Sequence, residues 1–279
     1  TILQDSTIDG SATIAGTLRV VGTTTLQDLT TLGTLNVNNS ATVAGSLNVM
    51  GTTVLQDSTI DGSATIAGTL RVVGTTTLQD VTTLGTLNVN NSATVAGSLN
   101  VIGTTRLQDS TIDGSATIAG TLRVVGTTTL QDLTTLGTLN VNNSATVAGS
   151  LNVMGTTVLQ DSTIDGSATI AGTLRVVGTT TLQDVTTLGT LNVSSSATVS
   201  GDLNVMGTTI LQDSTIDGSA TIAGTLRVVG TTTLQNLTTL GTLNVSSSAT
   251  VSGSLNVMGT TILQDSTIDG SATIAGTLR

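Results

Sequence analysis

Residues 3–10, LQDSTIDG, form the stretch whose side chains could do chemistry. Asp5, Thr7 and Asp9 place oxygen atoms at alternate positions before Gly10, and a calcium-binding loop opens with this spacing. Such a loop needs a Glu at its twelfth place, which is missing here, and Ile8 stands where a strand needs a core residue. We therefore interpret the aspartates as solvated corner residues. Asp5, Thr7 and Asp9 remain weak candidates for a calcium site, and no other cofactor is expected.

The composition argues against catalysis and against several classes of partner. The chain has no His, Cys, Lys, Glu or Tyr, so the usual general bases and activated nucleophiles are missing. We therefore do not expect the protein to be an enzyme, and we assign no catalytic or cofactor-binding residues. The net charge of −10, from 17 acidic and 7 basic residues, disfavours binding to nucleic acid, which needs clustered Lys or Arg. No apolar run is long enough to predict membrane insertion.

An internal repeat of 52 residues organises the chain, and such a period decides the fold before any local pattern does. The first full copy covers residues 6–57, and the repeat sequence begins again at Ser58, Ser110, Ser162, Ser214 and Ser266. We predict one continuous array over residues 1–279. It consists of a partial unit 1–5, five units at 6–57, 58–109, 110–161, 162–213 and 214–265, and a partial unit 266–279. Both ends fall inside a repeat, which is typical of a window from a longer repetitive protein.

Each 52-residue copy divides into nine segments, seven of six residues and two of five, STIDG and LTTLG. The second and fourth places are mostly aliphatic and the third is polar, which is the alternation of a short half-buried strand. Gly, Asn or Asp ends most segments, and these residues tolerate the unusual backbone of a corner. The sequence therefore predicts an all-β repeat in which every segment is one strand and one corner. The predicted core residues at the fourth place are Ile8, Ile14, Val20, Leu26, Leu32, Val37, Val43, Val49 and Leu55.

Comparison of the copies supports the predicted direction of the side chains. The position of Val54 becomes Arg106 in the next copy, then Val158, Ile210 and Ile262. A position that accepts Arg must reach solvent, so the third place points outward. The absence of Phe, Tyr and Trp favours a narrow interior of constant cross-section, because aromatic side chains fill wider cores.

Three arrangements of the segments remain open at this stage. In the first, three segments make one triangular coil, and each copy gives three coils of nearly equal length. In the second, each copy makes two unequal coils, which stacks similar segments on each other and leaves TLNVNN as an insertion in the longer coil. In the third, three chains wind together into an intertwined homotrimeric β-helix. The fold class is thus a repetitive β-helix or β-solenoid rod of short strands, with the homotrimer as the alternative.

The strings GTLRVVGTTTLQD, GTLNVNNSATVAG and GSLNVMGTTVLQD resemble the Thr-, Gly-, Leu- and Val-rich shafts of tail-fibre proteins from bacteriophages and large DNA viruses. The resemblance extends over essentially the whole chain and lies in composition and rhythm. It implies a homotrimeric, intertwined β-helical rod, with any receptor-binding part located elsewhere. It also implies an extracellular or virion-surface location.

Two functions of different classes are consistent with the sequence. The first is a structural fibre or filament shaft that associates with itself and performs no catalysis. Val21, Met50 and Val54 would form outward apolar stripes, and contiguous exposed apolar patches usually mark contact surfaces. The alternative is a multivalent binding module that holds calcium, glycan or ice on its repeated Thr, Asn and Asp faces.

Overall fold

The computed structural model describes residues 1–279 as strands and corners, with no helix anywhere in the chain. The protein is an all-β parallel β-solenoid of about 16 turns, which confirms the predicted fold class. No helix that could span a membrane is present. The chain divides into two compact units, of which the first comprises residues 1–137 and 142–145 and the second residues 138–141 and 146–279.

The strands fall into two sets. One set carries a single face of the coil; its strands are Ile2–Leu3, Leu18–Val20, Leu35–Val37, Thr53–Leu55, Leu70–Val72, Leu87–Val89, Thr105–Leu107, Leu122–Val124, Leu139–Val141, Thr157–Leu159, Leu174–Val176, Leu191–Val193, Thr209–Leu211, Leu226–Val228, Leu243–Val245 and Thr261–Ile262. The other set carries the two remaining faces; its strands are Ser6–Ile14, Thr23–Thr31, Ser40–Val43, Leu47–Val49, Asp57–Ile66, Thr75–Thr83, Ser92–Val95, Leu99–Val101, Asp109–Ile118, Thr127–Thr135, Ser144–Val147, Leu151–Val153, Asp161–Ile164, Ala168–Ile170, Thr180–Leu182, Val185–Thr187, Ser196–Val199, Leu203–Val205, Asp213–Ile222, Thr231–Thr239, Ser248–Val251, Leu255–Val257, Ser266–Ile268 and Ala272–Ile274.

Parallel pairing between successive coils shows how many segments make each turn. Arg19 lies beside Asn36, Asn36 beside Val54, and Val54 beside Arg71, so three coils lead from one arginine to its copy. The second unit repeats these steps from Val158 onward. Three segments therefore make one coil, as in the first predicted arrangement. The arrangement of two unequal coils is wrong, while the intertwined homotrimer stays a prediction.

Every coil has three faces, named here by their outward side chains. The arginine face carries Arg19, Asn36 and Val54, the threonine face Thr7, Thr25 and Thr42, and the asparagine face Thr13, Thr30 and Asn48. Some strands continue around the corner between the last two faces, with a register shift at that point. Side chains on either side of the outward ones point inward and form an aliphatic core. Parallel sheets usually need cover on both sides, but here the other two faces of the coil cover each inner surface.

The predicted core position is confirmed for eight of the nine fourth-place residues. The prediction is wrong for Leu32. Leu32 is 54% exposed, whereas Leu29 and Thr31 in the same segment are buried. The segment LTTLG lacks its first residue rather than its last, so Thr31 occupies the inward fourth place and Leu32 the outward fifth. Ile8 and Ile14 are only partly covered in the first coil, but their copies Ile60 and Ile66 are buried.

Glycine is required at the corner between the asparagine and arginine faces because successive backbones approach closely there. No glycine has a positive φ; only Asp5 and Asp265 do, at 49° and 47°. The glycines therefore do not supply left-handed backbone at the corners. A Cβ atom on Gly68 would lie 2.5 Å from the carbonyl oxygen of Gly51 and 2.6 Å from its carbonyl carbon. The glycines thus form a column that lets the coils stack.

Threonine hydroxyls lie inside the core at regular intervals. Thr31 and Thr53 are fully buried, and their hydroxyl oxygens have no hydrogen-bond partner. The same holds for their copies, which include Thr83 and Thr105. A buried polar group without a partner destabilises a protein by about 1–3 kcal/mol. These positions therefore place unsatisfied hydroxyls in an otherwise aliphatic interior.

Candidate functional site

The three residues of the calcium hypothesis do not converge. Asp5 precedes the strand Ser6–Ile14 at the corner between the arginine and threonine faces, whereas Asp9 lies at the next corner. Four residues of extended chain place their Cα atoms ~13 Å apart, while calcium ligands lie about 2.3–2.6 Å from the ion. Thr7 lies outward on the threonine face between them. No group of three or more acidic side chains is placed to hold a metal ion.

The aspartates of the recurring LQD string hold the backbone of the next coil. Oδ1 of Asp57 accepts a hydrogen bond from the backbone N–H of Thr75, at 2.9 Å. Oδ1 of Asp28 accepts one from Ser46 at 2.8 Å. The same contact with the residue 18 positions later recurs at Asp5, Asp80, Asp109, Asp161, Asp184 and Asp213. These side chains act as acceptors that join neighbouring coils.

The reason for this contact lies in the two short segments. STIDG and LTTLG each follow an LQD string and lack a first residue, so the coil turns this corner with one residue fewer than the coil stacked on it. The carboxylate then accepts from a backbone N–H of the longer corner. At the equivalent corner Asn236 keeps the bond, with Oδ1 2.9 Å from the backbone nitrogen of Ser254. An acceptor oxygen, and not a negative charge, is the shared requirement.

We expect Asp57→Ala to destabilise the protein by about 1 kcal/mol, because the N–H of Thr75 loses its acceptor. Asp57→Asn should change the stability by less than about 0.5 kcal/mol, because the amide keeps an acceptor oxygen. Urea unfolding followed by circular dichroism measures both variants. Asp61→Ala, at an exposed aspartate of another corner, is the matched control for loss of charge. Equal destabilisation by Asp57→Ala and Asp57→Asn would contradict an acceptor role.

The threonine face presents one outward threonine on every coil. Thr7 lies beside Thr25, Thr25 beside Thr42, and Thr42 beside Thr59. The column continues without interruption in the first unit to Thr129, and in the second it includes Thr163, Thr181, Thr198, Thr215, Thr233, Thr250 and Thr267. The sequence predicts repeated Thr, Asn and Asp faces, but it does not show that one face carries threonine on every coil, because the alignment of segments on one face depends on the coil length.

The corner between the asparagine and arginine faces carries a second column, which is apolar. The residue before each corner glycine points outward, and its backbone bonds to the preceding coil, as in Leu32 N–H to the carbonyl of Ile14. We call this column the apolar ridge. Its members in the first unit are Ala15, Leu32, Met50, Ala67, Leu84, Ile102, Ala119 and Leu136, and those in the second are Met154, Ala171, Leu188, Met206, Ala223, Leu240, Met258 and Ala275.

The three residues expected to form apolar stripes have different surroundings. Met50 is 63% exposed and belongs to the apolar ridge. Val21 is 37% exposed and lies at a different corner, while Val54 is half-buried between Asn36 and Arg71 on the arginine face. Of these three, only Met50 therefore belongs to a continuous apolar column. Leu32, for which the sequence predicts a core position, is part of the same column.

The recurring interior cavities are too small for a small-molecule ligand. Cavities of about 10 Å³ recur among the aliphatic side chains, with no polar surface exposed to them. Pockets that bind small molecules usually measure about 300–1,000 Å³. The recurring cavities are therefore packing defects.

Comparison with protein-family models, with curated proteins and with solved structures found no match for this chain.

Proposed function

We propose that the chain is a segment of a structural fibre shaft, which associates with itself and performs no catalysis. The observation that carries the proposal is the constant register. Every coil consists of three segments and pairs in parallel with the next, and the aliphatic core continues without an insertion. Each copy thus adds the same three coils, and a chain built in this way sets a length by its number of copies.

Two further observations support the proposal. The corner aspartates, the most chemistry-like residues of the repeat, bind backbone N–H groups, so their role is accounted for within the fold. The cavities are too small for a substrate. Together they favour a chain whose residues serve its own stacking.

The biological setting proposed for this shaft is a fibre on a virion or outside the cell. Its support is the compositional and rhythmic resemblance of the repeats to tail-fibre shafts. The same resemblance supports a homotrimer as the assembly. Neither nucleic acid nor membrane insertion is part of the proposal, since the chain has only 7 basic residues against 17 acidic ones.

Deletion of one whole copy tests the shaft. Removal of residues 58–109 joins Asp57 to Ser110, and the repeat sequence continues without a break because Ser110 begins a copy as Ser58 does. Three coils are lost, so we expect the maximum dimension to fall by about 14 Å at ~4.8 Å per coil, with an unchanged radius of gyration of the cross-section. Small-angle X-ray scattering measures both quantities.

Deletion of half a copy is the matched control. Residues 58–83, which are half of one copy, do not make a whole number of coils, so the following segments would meet the wrong faces. We expect this variant to lose its cooperative unfolding transition. If the cross-section shrank together with the length when residues 58–109 were removed, the shaft proposal would be wrong.

The threonine face favours a second candidate, a repeated binding surface for ice. Its column supplies one hydroxyl and one methyl group per coil at a spacing of ~4.8 Å, and Thr25 and Thr77 are exposed. A glycan site is favoured less, because ligand sites are generally concave and no aromatic residue is available. Calcium is favoured least, because Asp5 and Asp9 do not converge. A freezing-point assay with and without Thr77→Asp and Thr111→Asp distinguishes the ice-binding candidate from the shaft.

A further inference from the structure

The apolar ridge exposes large apolar side chains on two of every three coils in each unit. Its large members in the first unit are between 48% and 63% exposed, and they are Leu32, Met50, Leu84, Ile102 and Leu136. In the second unit they are between 54% and 63% exposed, and they are Met154, Leu188, Met206, Leu240 and Met258. Single exposed apolar residues are normal. Here, however, they recur on two of every three coils, with an alanine such as the half-buried Ala67 on the third. A contiguous apolar surface of this kind usually marks a contact surface.

The distribution of charge identifies what can approach this ridge. The aspartates lie at the other two corners, and Asp28, for example, precedes Leu32 by four residues of extended chain, or ~13 Å. Charges at the surface are largely screened beyond about 8 Å at physiological ionic strength. Two molecules with a net charge of −10 each repel where their aspartate corners approach each other. They can meet along the apolar ridge with their carboxylates kept apart.

The spacing of the ridge identifies the same partner. A partner that covers consecutive ridge residues must present apolar groups at intervals of ~4.8 Å, and a second copy of this chain does so by construction. Along the ridge, Ala67 is followed by Leu84 and Ile102, and then by Ala119. A partner ridge that is shifted by one coil therefore places a large side chain opposite each alanine.

We infer that the apolar ridge is the surface through which copies of this chain pack side by side. The inference deepens the proposed function, on which it rests, by naming the contact surface and the partner. Because every coil contributes the same contact, the contacts act together as linked binding sites. Association between two chains should therefore strengthen as the number of 52-residue repeats in each chain increases.

The test compares molar mass by sedimentation equilibrium and light scattering for the whole chain and its variants. The wild-type chain should have at least twice the mass of one chain. Replacement of all ten large ridge residues by Ser should reduce the mass to that of one chain; they are Leu32, Met50, Leu84, Ile102, Leu136, Met154, Leu188, Met206, Leu240 and Met258. The matched control replaces Val21, Val54 and Val73, which lie off the ridge, by Thr, and it should keep the wild-type mass. Circular dichroism should be the same for all three.

A second variant does not remove any large side chain. Replacement of Ala67, Ala119, Ala171 and Ala223 by Asp places charges opposite the large side chains of a partner along the ridge of both units, and it should also give a single-chain mass. The inference is wrong if the wild-type chain is a monomer, or if both ridge variants keep the wild-type mass. In either case an unchanged result of the deletion of residues 58–109 would leave the shaft proposal standing, because that experiment measures length and not association.

Discussion

We expect Gly68→Ala to destabilise the protein by about 3 kcal/mol, an effect at the upper end for an overpacked site. A Cβ atom at this position would lie 2.5 Å from the carbonyl oxygen of Gly51 and 3.0 Å from the backbone nitrogen of Thr52. Both contacts are to backbone atoms, so no side chain can rotate away. The coils must separate locally, which weakens the parallel hydrogen bonds on either side.

The same column contains its own control at Gly16. A Cβ atom on Gly16 would meet nothing within 4 Å, and its φ is not positive. Gly16→Ala should therefore be neutral or stabilise by up to about 1 kcal/mol, since it restricts the unfolded chain. Urea unfolding followed by circular dichroism measures the free energy of unfolding of both variants. In thermal unfolding we expect the melting temperature to fall by about 6–12 °C for Gly68→Ala alone. Equal stabilities would rule out close backbone approach as the reason for the glycine column.

The strand and corner pattern could be predicted from the sequence because the alternation of side chains has a period of two. Since Arg106 replaces Val54 without other changes, that position must point outward, and the neighbours Thr105 and Leu107 must point inward. Both are buried. This reasoning is local, since it needs only the residues of one strand.

Leu32 shows where local reasoning failed. The alternation gives two sets of positions, but the choice of the inward set depends on the start of the segment. An alignment of LTTLG from its first residue puts Leu32 inward. An alignment from the last residue pairs its Leu-Gly with Met50-Gly51 and Ala15-Gly16, and it predicts the exposed position that Leu32 occupies.

The role of the LQD aspartates could not be predicted from the sequence, because it is a contact between coils. Asp57 meets Thr75 only when the coil has its particular length, and the triangular coil of three segments was one of three possibilities. A calcium loop and a backbone-binding corner use the same carboxylates. The replacement of Asp by Asn236 was visible in the sequence, and it already indicated that a negative charge is not needed at this corner.

Replacement of buried threonines by valine should stabilise the protein. Thr105 is fully buried and its hydroxyl has no partner, so Thr105→Val removes the desolvation penalty of that hydroxyl while nearly keeping the shape of the side chain. We expect a gain of about 1–2 kcal/mol at this site. Thr104→Val is the matched control, since Thr104 is the exposed neighbour, and it should change the stability by less than about 0.5 kcal/mol.

Four of the five buried, equivalent threonines of the arginine face give the largest effect when they are replaced together; the fifth, Thr261, lies in the last strand of that face and is left unchanged. The four are Thr53, Thr105, Thr157 and Thr209, and each is buried without a hydroxyl partner. Thr53 and Thr105 in the first unit are three coils apart, ~14 Å, as are Thr157 and Thr209 in the second, so the effects within each unit should add. The fourfold valine variant should gain at least about 4 kcal/mol and melt about 10 °C higher or more, as measured by calorimetry. A loss of stability would mean that these hydroxyls make hydrogen bonds inside the core, because replacing a hydroxyl by a methyl group destabilises the protein only when that hydroxyl is hydrogen-bonded.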